Sequence, residues 1–153
     1  MLTGLLHTHN FLRYVILLLI LISIVKSFSG WMGKKQYTPG DKRVALFTLI
    51  TAHLQLVIGL ALYFISPNVK VGLANMGGAM KDPALRFWTV EHIAMMIIAI
   101  ILITLGYSLA KRAKDDTGKH KRVAIYFLIA LIIIFLAIPW PWSAVSRGWI
   151  PGM

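Results

Sequence analysis

A chain of 153 residues that is 58% hydrophobic, with a mean hydropathy of +0.76, is more apolar than a water-soluble domain, where about 45–50% is usual. Lipid is the solvent it needs, and the absence of cysteine excludes disulfides, cysteine-bound iron–sulfur clusters and covalent haem attachment. The formal charge of +11 sits in loops beside apolar runs, where Lys and Arg orient a membrane chain, so no nucleic-acid partner is expected.

Four apolar runs follow in order: Phe11 to Val25, Val44 to Ile65, Phe87 to Ala110 and Val123 to Ile138. A span takes about 20 apolar residues, so the expected fold is all-α, an integral membrane bundle of four transmembrane helices in up-down order. It forms one domain over 1–153, with helices at about 4–28, 43–65, 83–110 and 120–138. No Lys or Arg precedes Arg13 and no small-residue cleavage site follows the first run, so that run reads as retained rather than as a signal peptide.

Loop charge sets the expected orientation. Lys26, Lys34, Lys35, Lys42 and Arg43 lie between the first two helices, and Lys111, Arg112, Lys114, Lys119, Lys121 and Arg122 between the last two. The opposite side holds only Arg13, Lys70, Lys81, Arg86 and Arg147. The positive-inside rule then places both basic loops in the cytoplasm and both termini outside a bacterial cytoplasmic membrane.

Asp82-Pro83 reads as an N-cap with proline at the first helical position, and Pro139 to Pro141 stops the fourth helix. Trp140, Trp142, Trp149 and Trp88 read as an interfacial belt at the outer surface. The outer loop from Ser66 to Asp82 carries Gly72, Gly77, Gly78, Met76 and Met80; it reads as a flexible connection with two packing methionines, or as a lid across the mouth of the bundle.

Ionisable residues at membrane depth are costly and face the interior or a functional site. They are His9 and Arg13 on the first helix, His53 on the second, and Glu91 and His92 on the third. His120, among Lys119, Lys121 and Arg122, is expected to be solvated or to face lipid headgroups. His9, Arg13, Ile16, Ile20, Ser23 and Ser27 share one helical stripe that should look inward; His7 points about 200° away from His9. Around His92 lie Trp88, Met95, Met96 and Ala99, and Thr51, Gln55 and Gly59 make a small polar stripe on the second helix suited to a neighbouring helix or subunit.

At about 1.5 Å of rise per residue, His9, His53 and His92 stand about 25, 15 and 28 Å above the cytoplasmic boundary. His9 and His92 are level. If the first and third helices are diagonal, the two imidazoles can approach one centre from opposite sides, as a bis-histidine haem requires, with Arg13 neutralising a propionate. His53, about 10 Å deeper, is the alternative ligand if its helix tilts.

The stretches HTHNFLRY, HLQLVIGLALYFISP and RFWTVEHIAMM resemble small bacterial four-helix membrane proteins of cytochrome b-like type. The resemblance implies non-covalent haem b, one or two per chain, with ligands drawn from His9, His53 and His92, and supplies no substrate. The expected function is electron transfer near the outer face, with quinone and a periplasmic redox protein as partners besides the lipid bilayer. Other readings are a cofactor-free accessory subunit of a membrane complex, a copper-handling protein using His7, His9, Met76, Met80, His92 and Met96, and a proton-coupled carrier using Glu91, His53 and Arg13. Thr51, Gln55 and Gly59 would permit a homo-oligomer. With Glu91 the sole acid inside the membrane, neither paired carboxylates nor a nucleophilic triad can be assembled.

Overall fold

The computed structural model describes residues 1–145; Arg147 and Trp149, read above as an outer-side charge and a belt residue, lie outside the described residues. Among the described residues, four helices are long and apolar enough to cross a membrane. They comprise α1 (Leu2–Met32), α2 (Pro39–Ile65), a third span over Pro83–Arg112, and α7 (Asp116–Ala137). The third span is not uniform: α5 (Pro83–Arg86) runs through a π-helical turn (Phe87–Glu91) into α6 (His92–Arg112). Two short helices, α3 (Pro67–Ala74) and α4 (Met76–Ala79), lie between the second and third spans.

The spans close into a ring in which α1 packs on α2 and α7, and α6 on α7 and α2, so α1 and α6 are diagonal. Small residues set the spacing. Ala45, Ala52, Ala99, Ala124, Ala130 and Ala137 are buried, and a β-carbon at Gly106 would stand 2.7 Å from Tyr126 Cβ and 3.1 Å from Phe127 Cδ1. Glycine there lets α6 and α7 approach, the way helices pack where no hydrophobic force drives them together. Leu18, Val25, Phe47, Val57, Ile98, Leu136 and other large apolar side chains face outward, an arrangement that only lipid makes favourable.

The polar stripe of α1 is buried: Arg13, Ile16, Ile20, Ser23 and Ser27 all face the interior. Ser23 and Thr48 share a hydrogen bond of 3.2 Å between α1 and α2, the type of polar link that holds membrane helices in register. Helix α2 begins earlier than apolar content alone predicts. Thr38, just ahead of Pro39, and Asp41 at the third helical position form a capping box, each satisfying the other's backbone N–H.

The connection after α2 is helical rather than a flexible loop. Ser66 precedes Pro67, whose fixed φ suits a first helical position, and Val69 and Gly72 of α3 are buried. Met76 and Met80 are exposed, at 42% and 46%, so they do not pack as expected.

His120 is a second correction. Instead of facing solvent or headgroups it is 1% exposed, wedged between Gly30 and the edge of Tyr37, with ring centroids 5.0 Å apart. Its Nε2–H donates to the Gln36 carbonyl at 3.2 Å, tying the α1–α2 loop to α7. The physical reason is the missing β-carbon of Gly30, which leaves a slot as wide as an imidazole.

Candidate functional site

The site sits near the less basic end of the bundle, where the π turn precedes His92. In that turn the His92 N–H bonds to the Phe87 carbonyl five residues back, and such turns are frequent at functional sites. Two contacts hold it. Tyr63 Oη–H donates to the Thr89 carbonyl at 2.7 Å, and the buried Thr89 side chain fits against Gly72, where a β-carbon would overlap its Oγ1. Arg86 and Glu91 form an ion pair across the turn. Glu91 is therefore committed to a partly exposed pair and does not line the cavity.

Between the helices lies a partly open cavity of about 300 Å³, at the lower end of the about 300–1,000 Å³ usual for small-molecule sites. Its polar wall includes His9, Arg13, Gln55, Tyr63 and His92; its apolar wall includes Trp88, Met96 and Ile134. Ser66 and Asn68 of the α2–α3 junction line it as well, so the connection does reach the mouth of the bundle.

His9 and His92 come together across the diagonal, with ring centroids 6.3 Å apart and ring planes at 62°. His92 is oriented by its Nδ1, 2.8 Å from the Ala137 carbonyl. A carbonyl can only accept, so Nδ1 carries the proton and Nε2 keeps a lone pair. The Ala137 carbonyl is one of those that the end of α7 leaves unsatisfied. Phe87 and Trp88 flank the ring at 5.6 and 5.9 Å, and Trp88 also lines the cavity. Gln55 Nε2 donates to the His9 carbonyl at 2.8 Å, and a β-carbon at Gly59 would meet His9 Cε1 at 3.3 Å. Gln55 and Gly59 of the α2 stripe therefore face α1 within the chain, while the Thr51 hydroxyl donates to the Phe47 carbonyl of its own helix.

Arg13 is 8% exposed, and among the described residues no carboxylate forms an ion pair with it. Its Nη2 donates to Tyr14 Oη at 2.8 Å, and its guanidinium carbon lies 5.9 Å from the Trp140 ring centre. Arg13 Nε and Gln55 Oε1 are buried without a hydrogen-bond partner among the described residues. Unmet polar groups of this kind are costly unless a ligand meets them.

His53 is not brought to the cavity. It is exposed on the outer side of α2 and lines a separate groove facing α6. His7, Met76 and Met80 also stay outside the cavity, leaving only His9, His92 and Met96 of the proposed copper ligands within it. Among the described residues no three His, Cys, Asp or Glu side chains gather as a metal site; a bis-imidazole iron site needs only two. Nothing in the sequence pointed to Tyr63 or Thr89, whereas Gln55, a polar residue inside an apolar run, was legible as a helix contact and also lines the cavity.

Fold and site together define a multi-pass, all-α membrane protein with a largely apolar cavity inside the bundle that carries a cluster of polar side chains. Compared with family models, with curated proteins and with solved structures, the chain matches none.

Proposed function

We propose that the protein is a membrane-bound b-type haem protein that transfers electrons near the outer face of a bacterial cytoplasmic membrane. The observation that carries this reading is the His9–His92 pair. A metal–imidazole bond is about 2 Å, so two imidazoles on opposite sides of one metal have ring centres about 6 Å apart, against 6.3 Å here. The donor chemistry agrees, because ligating histidines usually give their other N–H to a carbonyl, as His92 does to Ala137.

His9 and His92 would hold the iron as neutral imidazoles, and bound haem would supply reversible one-electron chemistry. Arg13 offers a buried cation and an unmatched N–H to a propionate carboxylate. The apolar wall would pack against the macrocycle, and Gly59 leaves space beside the His9 ring, where a β-carbon would stand 3.3 Å from Cε1. One haem per chain is expected, with both basic loops cytoplasmic and both termini outside, and quinone and a periplasmic redox protein as electron partners.

The test is a reduced-minus-oxidised absorption spectrum of the purified protein, expressed with ample haem. A sharp α-band that disappears in His9→Ala and His92→Ala but persists in His53→Ala supports the reading. A flat spectrum with no extractable haem from correctly folded protein overturns it.

A further inference from the structure

The groove beside His53 is separate from the haem reading and lies on the lipid-facing side of the bundle. It has a volume of about 240 Å³ and is walled by Leu56, Ile97, Ile100 and Thr104 among others. His53 is near the middle of α2 (Pro39–Ile65), and an imidazole turned towards lipid at that depth is expensive without a function. Its Nδ1 is 2.8 Å from the Leu49 carbonyl; since a carbonyl only accepts, Nδ1 holds the proton and Nε2 is a bare acceptor. The Thr104 hydroxyl likewise gives its proton to the Ile100 carbonyl at 2.8 Å, so it too presents only lone pairs. The groove thus offers acceptors in an apolar, water-free setting and calls for a hydrogen-bond donor that arrives through lipid.

We propose that this groove binds a membrane-soluble hydroquinone, whose ring hydroxyl donates to His53 Nε2. Two observations favour that class over other hydroxylated lipids. A phenolic hydroxyl is far more acidic than an alcohol, with a pKa of about 10, and is correspondingly the stronger donor to an imidazole. Leu56 and Ile100 line both this groove and the His9–His92 cavity, so one layer of side chains separates the two. The proposal deepens the haem reading by locating the site of its electron donor, but the binding it predicts does not require haem.

The experiment titrates the full-length protein in lipid nanodiscs with an alkylated benzohydroquinone, its dimethyl ether and a fatty alcohol. Binding is followed through the His53 imidazole nitrogen signals and by equilibrium partition. Saturable hydroquinone binding is expected, weakened about tenfold in His53→Phe and partly restored in His53→Gln, with the ether and the alcohol each about tenfold weaker. Hydroquinone binding that survives His53→Phe unchanged, or an ether or alcohol that binds equally well, overturns the proposal. So does cross-linking of an Ile101→Cys variant into dimers, which would make the groove a contact between copies. Haem content of the same samples is read independently, so loss of haem and loss of hydroquinone binding are distinguished.

Discussion

Replacing Gly30 by alanine tests how the basic end of the bundle is pinned. In α1, Gly30 faces the imidazole of His120, whose ring occupies the space a β-carbon needs. The ring has nowhere to retreat, because it is buried against Tyr37 and anchored to the Gln36 carbonyl. Forcing a methyl group into such a place costs about 1–3 kcal/mol, and displacing the ring loses a hydrogen bond of about 1 kcal/mol. Alanine's better helix propensity offsets about 1 kcal/mol, which leaves a net destabilisation of about 1–3 kcal/mol. The assay is unfolding of the purified protein in detergent, run as a double-mutant cycle with His120→Ala. With the imidazole removed, Gly30→Ala should be neutral or should stabilise by up to about 1 kcal/mol. An equal cost in both backgrounds would refute the claim that His120 fills the slot over Gly30.

Burial, followed by the nearby charge of Asp41, pushes the Tyr37 phenol up to about 12. Its stabilising contribution is therefore complete below the ordinary phenol value of about 10 and is lost as the pH rises towards 12; a denaturation midpoint followed through this window should fall less steeply in Tyr37→Phe than in the wild type. Thr38→Ala removes the hydroxyl that accepts from the Asp41 N–H at 3.2 Å and should cost about 1 kcal/mol, seen as faster amide exchange confined to the first turn of α2. Gly59→Leu crowds His9 across a gap already only 3.3 Å wide at the β-carbon. At an overpacking cost of about 1–3 kcal/mol, haem content should fall about tenfold while circular dichroism stays unchanged; full haem retention would place the ligand elsewhere.

The four spans, the inward stripe of α1 and the convergence of His9 with Arg13 were legible in the residues alone. Apolar content and a repeat of three to four residues are local properties, summed along a single helix, and no partner is needed to read them. The diagonal placement of His9 and His92 was partly legible, since helical rise fixes depth and up-down order fixes which helices oppose. Tertiary packing decided the rest. The π turn ahead of His92 depends on Tyr63 reaching the Thr89 carbonyl and on Gly72 admitting the Thr89 side chain, pairings between residues far apart in the chain. His120, surrounded in sequence by cations, is buried because Gly30 on another helix lacks a β-carbon. His53 and Gln55 are two residues apart on α2, yet one lines the lipid-facing groove and the other bonds to α1. Sequence spacing shows that they diverge, whereas which of them faces inward is set by the packing of α1 and α6 on either side of α2.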